Sequence, residues 1–356
     1  MPLTWLQVEQ FRCLEQVELD LDPHFNLFVG ANASGKTSLL EALFFLGRGR
    51  SFRTRRLDHL IRHGQKSFIV VGKSEESGRL ATLGVRGSRE GTEIRISGKA
   101  AQSAAELAEH FPPQVIDPEI HKLLEEGPGR RRRFLDWGVF HVEQAFLPTW
   151  QRYHKALRQR NAALKQELPD VSVQVWDNEL ADAGEALAHQ RREYLARLQE
   201  PLARMGERLL DAEASLVYHP GWPEESSLLE TLERDLVRDR RYRATQHGPH
   251  RADIVVRVGG YTAKDRVSRG QQKLLAAGLT LAQLEVQEAD RPGRSALLLD
   301  DPAAELDAAN LGRLLACVRD LPVQLLVTSL RADVPGLPED GRMFHVERGA
   351  MRPVGD

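Results

Sequence analysis

Apolar positions alternate with polar ones, or run together, at residues 3–9, 17–22 and 25–29, where Val, Leu, Phe and Trp are frequent. A period near two with such side chains predicts short strands. Residues 67–72, 79–85 and 92–96 repeat the pattern between Gly- and Ser-containing turns, as strands of an antiparallel sheet do. Residues 38–46 form an apolar helical run that ends at Gly47. Pro112-Pro113 precedes a short strand at 114–116, and Asp117-Pro118-Glu119 has the form of a helix start, with Asp as cap and Pro in the first position. From about 134 to 205 Leu and Ala recur at helical spacing, interrupted only around Pro169, which predicts an antiparallel pair of long helices. Strand character returns at 253–258, followed by a helix from Ser268, a strand at 295–299, a helix at about 308–319 and strands at 323–327 and 342–347.

The order divides the chain into an α/β part at 1–116, a mainly helical part at 117–250 with a short antiparallel arm, and a second α/β part at 251–356. If the two ends share a sheet, the helical part is a lobe inserted into one α/β domain. The 356 residues are 41% hydrophobic and 28% charged, enough for a sizeable core. No apolar run nears the roughly 18 residues needed to cross a bilayer, and no basic-then-apolar signal segment opens the chain. Cys13 and Cys317 have no metal-ligand spacing and argue against a disulfide-stapled secreted domain, so reduced thiols in the cytoplasm are expected.

Gly30-Ala31-Asn32-Ala33-Ser34-Gly35-Lys36-Thr37 lies between a predicted strand and a predicted helix. In that context a Gly-x-x-x-x-Gly-Lys-Thr run cradles phosphates. Gly30 and Gly35 let the backbone curl so that successive N–H groups face the anion, and the helix opening at Lys36, Thr37 and Ser38 adds its dipole. Lys36 would reach the β- and γ-phosphates and Thr37 would ligate Mg²⁺. Leu297-Leu298-Leu299 leads into Asp300-Asp301, as a buried strand ending in carboxylates does. Asp300 would complete the Mg²⁺ site, and Asp301 would orient or deprotonate the attacking water. Ser268-Arg269-Gly270-Gln271 enters another helix and supplies a second anion-binding end, whose sensible use is to complete the nucleotide pocket of a second copy of the chain.

These runs, with Glu305-Leu306-Asp307 after the carboxylates, resemble the motif set of ABC-type ATPases. The stretch from Leu6 to Arg12 ahead of the phosphate loop resembles SMC-type DNA-repair ATPases. More narrowly, the chain is similar to the RecF family at Gly47-Arg48-Gly49-Arg50-Ser51-Phe52-Arg53-Thr54, at Pro118-Glu119, from Gly127-Pro128 through Arg131-Arg132-Arg133-Phe134-Leu135-Asp136-Trp137, and at Gly248-Pro249-His250-Arg251-Ala252-Asp253. The resemblance implies an ABC-type ATPase head: a mixed sheet bearing the phosphate loop, an antiparallel sheet and an inserted helical lobe. It places Asp307 at the nucleotide and implies Mg²⁺ and ATP, an ATP-driven homodimer, and binding to double-stranded or gapped DNA and its junctions. It also implies cooperation with RecR and RecO in support of RecA loading, with no role at a membrane. Two departures stand out. Thr328-Ser329 occupies the place of the transporters' switch histidine, so any γ-phosphate sensing there would use a hydroxyl. Asp301 replaces the usual Glu, and the shorter acid implies slow hydrolysis.

Net charge is -2, but its distribution is uneven: Arg48, Arg50, Arg53, Arg55, Arg56, Arg62 and Lys66 face only Asp58 within their stretch. Further knots lie at 130–133 and 238–251. Such runs predict an anion-binding surface without a base-reading device, and Arg53, Arg55, Arg56 and Arg132 are the candidate DNA contacts. His250 and Arg251 either shape a nucleotide or dimer surface or are structural. Two other readings stay open: the ATPase subunit of another ABC-type assembly, and a clamp in which ATP serves only as dimer glue.

Overall fold

The apolar run at 25–29 becomes the strand Phe25–Val29, parallel to Gln324–Ser329 on one side and Arg342–Glu347 on the other. Ala296–Asp300 and Pro113–Ile116 continue the parallel set, and Ala350–Pro353 closes its far edge antiparallel to Arg342–Glu347. Both α/β ends therefore share one six-stranded sheet. A second six-stranded sheet, antiparallel throughout, is built from Leu14–Asp20, Leu3–Phe11, Ser67–Glu76, Arg79–Ser88, Gly91–Ile96 and Lys99–Ala100, in that order. The computed structural model describes residues 2–76 and 79–355.

The helix Lys36–Arg48 touches strands of both sheets, and Leu39, Leu40, Leu43 and Phe45 join their inward side chains in one core. Burial of apolar surface at roughly 25 cal/mol per Å² holds such a layer together. The helix stops at Gly49, whose φ of 62° gives the left-handed cap, and not at the expected Gly47. Gly47 is inside the helix and is a glycine for a different reason: a Cβ there would lie 2.2 Å from the Phe111 carbonyl oxygen, so the chain passes too close for any side chain.

Two compact units emerge: 1–120 with 277–356, and 121–276. The second begins and ends later than the sequence boundaries at 117 and 250. Its extension past 250 has a plain cause: Asp253–Val258 pairs antiparallel with Ala214–His219, a strand the apolar pattern did not reveal. The expected helix start at Asp117-Pro118 is a turn, with Asp117 Oδ1 accepting from the Glu119 N–H, and the helix that follows is only Lys122–Glu125. The helix Ala104–His110, opened by a Ser103/Glu106 capping box, was not anticipated.

The second unit contains the predicted antiparallel pair as Phe146–Lys165 and Asp177–Leu210, with the short helix Asp170–Gln174 at the break. Its interior is held by ion pairs as well as apolar contacts. Fully buried Arg160 donates to Asp177, Asp239 and Thr245 at 2.6, 2.5 and 2.9 Å. Arg191 forks onto Asp136 and donates to the Pro249 carbonyl. Gly248, at φ 130°, admits Tyr153, whose hydroxyl meets His250 Nδ1 at 2.6 Å, while His250 Nε2 meets the Thr245 carbonyl at 3.0 Å. The carbonyl can only accept, so Nε2 carries a proton, and burial, which holds the pKa down to about 4, keeps the ring neutral near pH 7. His250 is thus a structural pin of this unit.

Burial pushes both His250 and His154 down to about 4. Below the ordinary histidine value the unfolded chain takes up protons that the folded unit refuses. Stability is therefore level above about pH 6.5 and falls as pH drops toward 4, by about 2–3 kcal/mol for His250 and less for the more open His154. Chemical denaturation as a function of pH checks this, and His250→Gln should remove the His250 part of the slope.

Candidate nucleotide site

Strand register assembles the site. Asp300 lies opposite Thr328, Thr328 opposite Phe28, and Ser329 opposite Val29, so three carboxyl ends finish side by side where the chain leaves Val29 for the phosphate loop. Ligands of parallel α/β sheets bind at such ends. The Gly30 N–H donates to the Ser329 carbonyl, and Ala33 and Gly35 take φ of 62° and 115° to curl the loop into the helix at Lys36. Only Gly fits at position 30, since a Cβ would lie 2.2 Å from the Val346 carbonyl oxygen and 2.8 Å from Ser34 Oγ.

The Thr37 hydroxyl lies 2.9 and 3.0 Å from the two oxygens of Asp300. Lys36 Nζ donates to the carbonyls of Gly30 and Ala31 at 2.7 and 2.8 Å. Burial lowers the Lys36 pKa, against the pull of Asp301 and Asp300. Asp301 adopts φ 47°, which takes its side chain off the line of the strand. Burial raises its pKa; Lys36 opposes the shift, and Asp300 and Glu305 add to it. Two buried oxygens here, Ser34 Oγ and Asp301 Oδ1, have no partner among the described residues. The structure thus brings Gly30, Ala31, Ser34, Gly35, Lys36, Thr37, Asp300 and Asp301 into one locus, with Asn32, Ala33 and Ser38 in the same loop and first helical turn.

Other predicted residues lie elsewhere. Asp307 caps the helix Ala308–Arg319, accepting from the Asn310 N–H at 2.9 Å, and that backbone contact lowers its pKa. Ser268, Gly270 and Gln271 belong to the second unit and are exposed at the start of the helix Arg269–Asp290. Ser268 Oγ accepts from the Gln271 N–H and Gln271 Oε1 from the Ser268 N–H, a capping box. Arg269 donates to His121 Nε2 at 3.1 Å. Nothing crowds Gly270, where a Cβ would meet open space.

The candidate DNA contacts separate. Arg53 is about half exposed, Arg55 is exposed, and Arg56 forks onto Asp58 at the surface. Arg132 departs from its expected use: it donates to the Ala252 carbonyl at 2.6 Å, next to Arg131, which forks onto Asp253. Both guanidiniums reach the segment Ala252-Asp253, so this part of the knot stitches a unit together.

Sequence reasoning missed Glu41. It is fully buried on the phosphate-loop helix and accepts two bonds from Arg12, one from Ser51 at 2.5 Å and one from Arg53 at 3.4 Å. A lone acid within Leu39-Leu40-Glu41-Ala42-Leu43 was the available signal. It fastens the basic segment after the helix to the turn before the loop. At the position expected to sense phosphate, Thr328 Oγ1 donates to Asp300 Oδ1 at 2.8 Å and accepts from the Asp301 N–H at 2.9 Å, and the Ser329 hydroxyl accepts from the Arg331 N–H.

A phosphate loop, a carboxylate-ended strand one removed from the loop's own strand, and a flanking antiparallel sheet define an ABC/SMC-type ATPase head. Residues 2–343 match the family model described as the RecF/RecN/SMC N terminal domain. The DNA replication and repair protein RecF of Enterobacter sp. (strain 638) is 40% identical over 355 residues, covering 99% of each chain. The solved structure of the recombination mediator protein RecF with ATP, in the RecFOR pathway, superposes with a TM-score of 0.89 at 27% identity, covering 99% of this chain and 98% of that one. An SMC head bound to the C-terminal winged-helix domain of ScpA shares the fold at a TM-score of 0.59 and 16% identity, covering 99% of this chain and 97% of that one. The chain belongs to the RecF family of DNA replication and repair proteins.

Removing the Glu41 charge leaves Arg12 and Arg53 without their anion. Because both reach solvent, Glu41→Gln should cost about 2–3 kcal/mol, somewhat less than breaking a fully buried pair. Denaturant unfolding measures it, and an unchanged midpoint would contradict the role.

Proposed function

We propose that this chain is a slow, Mg²⁺-dependent ATPase that dimerises on ATP to clamp double-stranded or gapped DNA and releases it on hydrolysis. The observation that carries the reading is the Lys36, Thr37, Asp300 and Asp301 cluster at three aligned strand ends. Its donor set fits the ligands. Hydroxyl and carboxylate oxygens are the hard donors Mg²⁺ prefers, and a Mg²⁺ bound mainly by phosphates and water needs few protein ligands. A curled loop with a close-fitting Gly30 and a partnerless Ser34 hydroxyl fits a phosphate chain.

Thr37 and Asp300 would hold Mg²⁺, which when bound offsets phosphate charge. Lys36 exchanges its loop carbonyls for phosphate oxygens, and the N-terminal turn at Ser38 adds its dipole. Asp301 orients a water and accepts its proton; its weakened acidity suits the second task and its short reach keeps turnover slow. Ser268, Gly270 and Gln271, exposed on a capped helix start, close over the γ-phosphate of a second copy, and Asp307 belongs to the same junction. Arg53 and Arg55 bind DNA phosphates, with Arg56 beside them, so binding is salt-sensitive and indifferent to sequence. The family resemblance points to RecO and RecR as partners, RecA loading as the outcome and the cytoplasm as the setting. No helix among the described residues is long and apolar enough to cross a membrane.

Lys36→Ala should abolish ATP binding, whereas Asp301→Asn should retain it and lose turnover by roughly 10²-fold or more. Unchanged turnover in Asp301→Asn would overturn the catalytic role given to Asp301. Ser268→Arg should bind ATP yet sediment as a monomer with and without it. Arg53→Ala with Arg55→Ala should weaken DNA binding equally for all sequences and reduce the salt slope by about two, one for each phosphate contact.

A further inference from the structure

We infer that Thr328 is a positioning residue whose single hydroxyl sets the Asp300 carboxylate and the backbone that carries Asp301; the inference rests on the Mg²⁺-ATP reading above. Thr328 is fully buried, one strand over from Asp300 and in register with it. Its hydroxyl donates to Asp300 Oδ1 and accepts from the Asp301 N–H. These two bonds act on neighbouring residues with different tasks. The first orients the carboxylate proposed to hold Mg²⁺. The second anchors the backbone at the residue with φ 47°, a conformation that a non-glycine residue adopts only when its surroundings hold it.

Asp300 also takes a hydrogen bond from Thr37. The Thr37 hydroxyl is itself a proposed metal ligand, so its proton and lone pairs are shared among duties. Thr328 has no such second duty toward the ligand. It lies beneath the carboxylates, and its hydroxyl is already committed on both its donor and acceptor sides. A residue that fixes a ligating carboxylate from behind tunes metal affinity, typically by 10–100-fold. The strand end at Thr328 thus orients the Asp300 carboxylate and anchors the backbone of Asp301.

Thr328→Val removes the hydroxyl while keeping the β-branched shape, and Thr328→Ser keeps the hydroxyl. Binding of a fluorescent ATP analogue is titrated with and without Mg²⁺ for the full chain and both variants, alongside turnover at saturating Mg²⁺-ATP. Thr328→Val should lose 10–100-fold of the Mg²⁺-dependent gain in affinity while its metal-free affinity stays at the wild-type value. Its turnover should fall at saturation, and Thr328→Ser should recover both. A Thr328→Val protein with wild-type Mg²⁺ dependence overturns the inference alone. Equal loss of metal-free and Mg²⁺-dependent binding in the Val variant, with no recovery in Ser, also overturns it, because the effect is then general disruption. A wild-type chain that gains no nucleotide affinity from Mg²⁺ overturns the Mg²⁺-ATP reading itself.

Discussion

The constraint on which the rest depends is the register of the parallel strands Phe25–Val29, Gln324–Ser329 and Ala296–Asp300. Side chains alternate faces along a strand, so a slip of one residue would send Asp300 to the opposite face and break its contacts with Thr37 and Thr328. The run of buried Leu297, Leu298, Leu299, Leu325, Leu326 and Val327 resists that slip through packing on both faces. The helix Lys36–Arg48, lodged between two sheets, fixes the other half of the site. Catalytic geometry here is a by-product of core packing, and a charge as deep as Glu41 is tolerated because its four bonds tie the turn at Arg12 to Ser51 and Arg53 after that helix.

The second unit solves a different problem. Its long helices carry many arginines, and several are turned inward: Arg160 on Asp177 and Asp239, Arg191 on Asp136, Arg131 on Asp253. Buried pairs of this kind gain little net stability against an apolar alternative, but losing one partner is costly, so they specify which helices meet. The same chemistry gives Gly248-Pro249-His250-Arg251 its meaning. Tyr153 and the Thr245 carbonyl hold a neutral imidazole, and the Pro249 carbonyl receives Arg191.

Much of this was legible in the sequence because it is local. The phosphate loop, the apolar strand ending in Asp300-Asp301 and the serine-capped helix at Ser268 are written in consecutive residues. So are the two long helices and the strands of the antiparallel sheet. What was not legible is long-range pairing. The partnership of Asp253–Val258 with Ala214–His219, which assigns residues past 250 to the helical unit, has no local signature. Whether an arginine in a run faces solvent or a carbonyl depends on what lies across from it, so the run at 130–133 does not reveal that Arg132 meets the Ala252 carbonyl, while Arg53 and Arg55 are at the surface. That the Thr328 hydroxyl meets the Asp300 carboxylate and the Asp301 N–H follows only from strand register, which the local sequence does not display.

Mixing Lys36→Ala chains with Ser268→Arg chains tests the shared site most directly. Each variant alone lacks one half of every composite pocket, while a mixed dimer contains one pocket with Lys36 from one copy and Ser268 from the other. ATP hydrolysis should be absent from either variant alone, appear on mixing and peak at equal amounts. A mixture that hydrolyses no faster than its separate components would contradict the pairing of two copies around each nucleotide.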